Sequence, residues 1–261
     1  MSKEEIVFHA NNGTNVTYME DPYPVENKIG QQKLLIIFSS LGDEKSDDPR
    51  KRFPYTLIDG LKFYNCRKLY IKDDHGLVGD YYLGVNGKLD TQKAVLDLIN
   101  SKIQEYGIES KNIMTFGFSK GGYAAIMFGY LLNINTVMAS VPQFDLDHWI
   151  QVYKPFLDYI YPENYTVEDR EFYANYLDNV IKDANYVPKK VYLITSKNDN
   201  TYYEHIPQLV TALEKSGTEL KVFHNNEYVV TRHNNVVKNS LNEILAILSY
   251  ELSHEDLKNM L

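Results

Sequence analysis

Cysteine is almost absent from the chain. Its 261 residues include one, Cys66, which excludes an internal disulfide and a zinc site built from several thiolates. Cys66 lies at the edge of the apolar run "FYNCRKLYI", where a cysteine usually packs as a small hydrophobic residue. We expect a buried thiol here, and the chain as a whole predicts no metal and no cofactor.

A surplus of positive charge and long apolar runs are missing as well. The formal net charge is −8, whereas a protein that binds nucleic acid needs a basic face. No apolar run reaches the roughly 18 residues of a membrane span, and the N-terminal segment turns polar too early for a secretory signal. These absences predict no nucleic-acid partner, no membrane span and a cytoplasmic location.

What the chain does have is an alternation of strand-like and helix-like segments. Segments 4–9 and 14–19 predict a hairpin around Asn12-Gly13, and the apolar run 33–40 predicts a strand buried on both faces. Residues 54–63 are interpreted as helical. Further strands are predicted at 67–74, 112–117, 135–141, 189–196 and 220–225, and helices at 90–107, 122–133, 206–217 and 235–250. This order predicts one α/β domain over residues 1–261, with a mostly parallel central sheet and helices on both faces.

One segment breaks the alternation. Residues 143–187 are rich in aromatic side chains and carry helical stretches without a clear strand. No proline- or glycine-rich linker separates them from the rest of the chain. We expect a helical lid inserted between two strands and lying over one edge of the sheet.

The stretch "FGFSKGGY" at 116–123 carries the first chemical signal. Its residues 117–121 fit the pattern G-x-S-x-G, between the apolar run "NIMTF" and the helical run "YAAIMFGYLL". A sharp strand-to-helix turn of this kind exposes a serine hydroxyl at the helix N-terminus. The alternative is a glycine-rich turn with a capping serine. The context favours Ser119 as a nucleophile.

A serine hydroxyl needs a base that takes its proton, and an acid that orients the base. With the chain order serine, acid, histidine, the base belongs after the last strand, where His233 is favoured over His224. The acid belongs after the strand "KKVYLIT". Asp199 is predicted there, with Glu204 and Asp145 as reserve candidates.

The developing oxyanion needs hydrogen-bond donors. One is the backbone N–H of Lys120, directly after the nucleophile. The other is expected from Ser40 or Leu41, after the strand "KLLIIFSS".

Residues 73–87, "DDHGLVGDYYLGVNG", follow a predicted strand and lie on the same edge as the serine if the sheet is parallel. Asp73, His75 and Tyr82 are predicted to bind substrate, with a solvated loop as the alternative. Two adjacent carboxylates and one histidine make a poor metal site. Trp149, in the predicted lid, is also predicted to bind substrate.

The sequence resembles the α/β-hydrolase superfamily from about residue 33 to residue 250. The stretches "FSSLGD", "LYIKDDHGLVGDYYLG", "GFSKGGYAAIMFGY" and "ASVPQF" look more narrowly like two bacterial groups. These are the accessory Sec system proteins with glycan O-acetyltransferase activity and the capsular polysaccharide biosynthesis proteins with a hydrolase-like core. By this resemblance Ser119 matches the family nucleophile and His233 the family base. The resemblance implies a glutamate as the acid in the secretion group, whereas this chain has Asp199.

Residues and resemblance together predict a serine-dependent acyl-ester enzyme. It is expected to be a carboxylesterase or an O-acyl- or O-acetyltransferase that works through an acyl-enzyme on a small-molecule or glycan ester. The chain has 22 tyrosines, and tyrosine in the predicted lid favours a carbohydrate-like acceptor. The alternative is a non-catalytic partner in bacterial polysaccharide or glycoprotein assembly or export that keeps the fold as a scaffold.

Overall fold

A sheet of eight strands lies at the centre of the structure, in the order β1-β2-β4-β3-β5-β6-β7-β8. The computed structural model of the chain describes residues 4–23, 32–253 and 258. The strands are β1 (Ile6–His9), β2 (Asn15–Asp21), β3 (Leu34–Phe38), β4 (Arg67–Ile71), β5 (Ile113–Phe118), β6 (Thr136–Ser140), β7 (Lys190–Thr195) and β8 (Glu219–His224).

The direction of the strands decides where the site lies. The first two strands form an antiparallel hairpin, and β2 pairs antiparallel with β4. Every other neighbouring pair is parallel, so the carboxyl ends of β3 to β8 lie on one edge of the sheet. The loops that follow these strands meet there, which is where open α/β sheets bind ligands.

Helices cover both faces of the sheet. They are α1 (Pro49–Arg52), α2 (Asp90–Tyr106), α3 (Lys120–Leu131), α4 (Leu146–Val152), α5 (Leu157–Ile160), α6 (Val167–Lys182), α7 (Tyr202–Ser216), α8 (His233–Asn239) and α9 (Leu241–Leu252). Along β3, Leu34 and Ile36 belong to an apolar cluster that also holds residues of α2, α3, α6 and α7, whereas Leu35 and Ile37 belong to a second cluster that holds residues of α9. The predicted fold class, a mostly parallel sheet with helices on both faces, is confirmed.

Two findings complete the picture of the helices. Within the described ranges, none is both long and apolar enough to cross a lipid bilayer. The predicted helix at 54–63 is wrong, because residues 56–63 form turns. Leu57 has a φ of 51° there, a backbone conformation that no right-handed helix contains.

Residues 143–187 contain α4, α5 and α6, as the aromatic and helical pattern predicts. Their buried side chains, such as Phe156 and Leu177, belong to the main apolar core, and α6 packs against α3, α4 and α7. The segment also reaches the loop after β3, since the Tyr153 hydroxyl donates a hydrogen bond to Glu44. Its function as a lid stays a prediction.

Candidate active site

Ser119 lies on the turn between β5 and α3. Its φ of 49° and ψ of −117° are unfavourable for any residue with a side chain. The turn is this tight because β5, α3 and β3 touch: a Cβ on Gly121 would lie 2.5 Å from the carbonyl oxygen of Phe38. The Ser119 amide donates to the Ser140 carbonyl oxygen at 2.8 Å. This turn presents the half-buried hydroxyl at the carboxyl edge of the sheet.

His233 and Asp199 meet the serine at this edge. His233 is the first residue of α8, and its Nε2 lies 2.9 Å from the Ser119 Oγ. Its Nδ1 lies 2.8 Å from Oδ2 of Asp199, which follows β7. The structure therefore brings together the nucleophile, base and acid that the sequence predicts.

The Asp199 carboxylate is built to stay charged. It is buried, and burial by itself raises the pKa of Asp199, but hydrogen bonds from His233 and Thr201 outweigh burial and hold this pKa below its usual value. Thr201 donates both its backbone N–H, at 2.9 Å, and its hydroxyl, at 3.0 Å, to Oδ1. A charged carboxylate fixes the proton of His233 on Nδ1, which leaves Nε2 free to accept the serine proton.

The competing candidates from the sequence have other neighbours. His224 ends the exposed edge strand β8. The Glu204 carboxylate lies 3.4 Å from the His148 ring. Asp145 caps α4 by accepting the His148 amide at 2.8 Å.

The backbone N–H groups that are candidates for the oxyanion site differ in whether they already donate a hydrogen bond. The Ser40 amide donates to the Thr56 hydroxyl at 3.2 Å, so it is not available to a substrate. Within the described part of the chain, the amides of Leu41 and Lys120 have no acceptor. Of the two alternatives for the second oxyanion donor, Leu41 is therefore the one whose amide has no acceptor among the described residues.

Two of the residues predicted to bind substrate are buried. Asp73 lies 2.8 Å from the Lys120 ammonium as a buried ion pair. The Tyr82 hydroxyl donates to the Ile71 carbonyl oxygen at 2.9 Å and accepts the Ser39 amide at 2.6 Å. Both groups are only about 1% exposed or less and satisfied by the protein, so substrate contact by Asp73 and Tyr82 stays a prediction that this burial does not support.

The other two are partly exposed. The His75 ring is hydrogen-bonded to the Asn15 carbonyl oxygen at 3.0 Å, beside the hairpin. Trp149 stacks on Tyr153 with ring centroids 5.6 Å apart. For both residues substrate binding stays a prediction. Among the residues that the structure describes, no group of His, Cys, Asp and Glu side chains is arranged to hold a metal ion.

Sequence reasoning missed a second chain of polar groups at Ser119. Gln143, on the turn after β6, has its Nε2 3.1 Å from the Ser119 Oγ. The Tyr81 hydroxyl donates to the Oε1 of the same amide at 3.2 Å. The rule that located Asp199, namely a polar side chain directly after a strand, also applies to Gln143. No pattern in the sequence indicates Tyr81.

Comparison with known proteins gives likenesses in structure alone, since no family model and no curated protein sequence matches the chain. The capsule O-acetyltransferase of Neisseria meningitidis serogroup A in complex with CoA is similar at a TM-score of 0.70 and 17% identity, with 94% of each chain covered. The Glycosylation Associate Protein (Gap123) complex from Streptococcus agalactiae is similar at a TM-score of 0.69 and 17% identity, over 94% of this chain and 46% of the other.

A fluorophosphonate-binding serine hydrolase of Staphylococcus aureus, FphF, is similar at a TM-score of 0.61 and 14% identity, over 93% of this chain and 97% of the other. These likenesses confirm the resemblance at the level of the fold. Strand order, the turn at Ser119 and these likenesses together show that the chain has the α/β-hydrolase fold.

Proposed function

We propose that the chain is a serine-dependent acyl-transfer enzyme. It acts as an esterase or as an O-acetyltransferase, and we favour the O-acetyltransferase. The observation that carries the proposal is the pair of hydrogen bonds from Ser119 to His233, at 2.9 Å, and from His233 to Asp199, at 2.8 Å. A nucleophile in contact with a base that is itself oriented by a third group is the arrangement that activates a hydroxyl.

In the first half-reaction the Ser119 Oγ attacks the acyl carbonyl carbon while its proton passes to the His233 Nε2. The carbonyl oxygen becomes an oxyanion, held by the amides of Lys120 and Leu41. The intermediate then collapses, and the leaving alcohol or thiol takes the proton from His233. Asp199 stabilises the imidazolium while it exists. The product of this step is an acyl-enzyme.

In the second half-reaction water or a sugar hydroxyl attacks the acyl-enzyme and gives its proton to His233. The Ser119 oxygen leaves and takes that proton back. Which acceptor wins depends on how much water the closed site admits. The likeness to a capsule O-acetyltransferase solved with CoA supports transfer from an acetyl thioester to a glycan hydroxyl.

We assign residues 143–187, within a single domain, to binding of the acyl acceptor. In this proposal the segment covers the site. The Trp149 and Tyr153 rings stack, and Tyr153 is hydrogen-bonded to Glu44 in the loop that carries Leu41. An aromatic pair joined to the oxyanion loop supplies a flat apolar wall, which suits a sugar ring.

Labelling with a fluorophosphonate tests the proposal, because the probe forms a bond only with an activated serine. The native chain is expected to label, and Ser119→Ala is expected not to. Ser140→Ala is the matched control, since Ser140 lies at the same edge but its buried hydroxyl has no partner among the described residues. For the base, His233→Ala should lose labelling by at least about 10³-fold, whereas His224→Ala should keep it.

Hydrolysis and transfer are then separated with acetyl-CoA, by following thiol release with and without a polysaccharide that carries free hydroxyls. Faster release in the presence of the polysaccharide, with acetyl groups found on it, supports transfer. Release that does not depend on the polysaccharide supports an esterase.

A scaffold without chemistry is the second candidate, and the likeness to the Gap123 complex favours it. It predicts that neither the native chain nor any variant labels. A folded native chain that stays unlabelled by small and large probes alike would therefore replace the enzyme proposal with this one.

A further inference from the structure

The nucleophile has a hydrogen-bond partner that the triad does not use. Gln143 is fully buried, and its amide nitrogen lies 3.1 Å from the Ser119 Oγ. The amide oxygen accepts the Tyr81 hydroxyl at 3.2 Å. We propose that the Gln143 amide is a catalytic hydrogen-bond donor to the Ser119 oxygen, and that Tyr81 is the positioning residue that orients it. The inference rests on the proposed function, since it adds a group to the same acyl transfer.

Both ends of the Gln143 amide lie near the Ser119 Oγ, Nε2 at 3.1 Å and Oε1 at 3.4 Å, and hydrogen-bond logic selects the nitrogen as the partner. His233 gives its Nδ1 proton to Asp199, so its Nε2 accepts and the Ser119 proton points at it. The Ser119 oxygen then has only lone pairs left, and the Gln143 group that meets it must be the N–H. The amide oxygen is left to accept from Tyr81, which burial keeps protonated by raising its pKa well above the usual value.

The result is a single chain of donors that all point the same way. Tyr81 donates to Gln143, Gln143 to Ser119, Ser119 to His233 and His233 to Asp199. Hydrogen bonds in such a chain polarise one another, and the effect is larger where water is excluded.

The turn that carries the amide is held at both of its ends. Val141 has a φ of 44°, which is strained for a β-branched residue, and its amide donates to the Ile194 carbonyl oxygen at 2.9 Å. On the other side of Gln143, the Phe144 amide donates to the His205 Nδ1 at 3.3 Å. Burial lowers the pKa of His205 to about 4, so this ring stays neutral and keeps accepting.

A donor at this oxygen helps both half-reactions. Negative charge builds up on the Ser119 oxygen as its proton moves to His233 during attack, and again when the oxygen leaves the acyl-enzyme. The Gln143 N–H stabilises that charge each time. It also occupies one of the two lone pairs of Ser119, so the other is the only one free for the acyl carbon, which fixes the direction of attack.

The test uses the full chain and the second-order rate of fluorophosphonate labelling at neutral pH. Gln143→Met keeps the shape of the side chain and removes the donor, and we expect labelling to slow by about 10- to 100-fold. Gln143→Glu should slow it further, because a carboxylate repels the charge that the amide stabilises.

The chain offers a matched control on α2. Gln92 is also buried, and its amide oxygen also accepts a tyrosine hydroxyl, that of Tyr176 at 2.8 Å. Gln92→Met removes an equivalent buried amide away from Ser119. We expect it to lower the melting temperature as Gln143→Met does and to leave the labelling rate unchanged.

The role of Tyr81 is tested by a double-mutant cycle. Its ring packs edge-on against Tyr123 and Phe156, contacts that Tyr81→Phe retains. This variant should slow labelling in the native background and add nothing in the Gln143→Met background, because its effect passes through the amide. A purely structural contribution of Tyr81 would slow both backgrounds equally.

The outcomes separate this inference from the function on which it rests. Labelling of Gln143→Met at the native rate, or equal slowing by Gln92→Met, overturns the inference and leaves Ser119 as the nucleophile. A folded native chain that does not label removes both. If Gln143→Met does not fold, Gln143→Glu and Tyr81→Phe decide the matter by the same comparison.

Discussion

The side chain of Lys120 provides a stability prediction that the structure makes quantitative. Lys120 follows Ser119 directly and is 1% exposed. Its ammonium lies 2.8 Å from the Asp73 carboxylate and donates to the Val78 carbonyl oxygen at 3.1 Å. The pair therefore ties the turn of Ser119 to the loop after β4. We predict that Lys120→Met loosens this connection and destabilises the fold.

The expected size follows from what the substitution leaves behind. Removing one partner of a buried ion pair costs about 3–5 kcal/mol, because the remaining charge has lost its counter-charge. The Asp80 amide still donates to Asp73 at 2.9 Å, so the low end of that range, about 3 kcal/mol, is expected. Adding Asp73→Asn to Lys120→Met removes the stranded charge and should restore part of the loss.

The assay is chemical denaturation of the full chain, with Lys111→Met as the matched control. Lys111 and Glu109 form an ion pair at 2.6 Å, but their side chains are 58% and 69% exposed. Breaking an exposed pair costs less than about 1 kcal/mol. The reasoning is refuted if Lys120→Met loses no more than Lys111→Met, or if the added Asp73→Asn recovers nothing.

Two further predictions concern carboxyl groups. Burial, and then the charge of Asp73, raise the pKa of Asp80 well above its usual value, so above about pH 4 the folded chain holds a proton that the unfolded chain has released. Between the unfolded and the folded pKa of Asp80, stability then falls by about 1.4 kcal/mol per pH unit, and Asp80→Asn should remove that slope in denaturation measured at rising pH. Asp199→Asn should slow fluorophosphonate labelling by roughly 10⁴-fold with little change in melting temperature, since an amide favours the wrong tautomer of His233; labelling near the native rate would contradict this.

The arrangement of the triad could be predicted because one local rule applies three times. Ser119, Asp199 and His233 each come after an apolar run, and parallel strands carry the residues that follow them to the same edge of the sheet. The rule needs only the order of the elements, which alternating apolar patterns indicate well. For Ser119 and Asp199 it needs little of the loop paths, whereas His233 lies beyond residues 225–232 after β8.

The loop after β4 shows where this rule stops. Asp73 also follows a strand, and the sequence indicates a group that faces substrate. In the structure Asp73 instead pairs with Lys120, a residue far along the chain whose side chain turns inward beneath the loop. Whether a charged side chain finds a buried partner is a property of tertiary packing, and it decides whether the group is available to a ligand. The link from Tyr81 to Gln143 also depends on tertiary packing, which the sequence pattern does not indicate. Tyr81 reaches the Gln143 amide from a backbone with a φ of 58°.

Backbone strain at Ser119 gives a direct way to weigh an enzyme against a scaffold. A residue with a side chain at a φ of 49° and a ψ of −117° stores about 1–3 kcal/mol, which persists only where the surroundings enforce it. Ser119→Gly and Ser119→Ala both lack the hydroxyl, so a comparison of their free energies of unfolding isolates this strain. At a relaxed position glycine is the less stable of the two by about 0.4–1 kcal/mol, because its unfolded state has more freedom. We predict the opposite order here, with Ser119→Gly the more stable variant. Alanine as the more stable variant would mean that the turn is not strained, and would remove one reason to think that the fold gives up stability to present this oxygen.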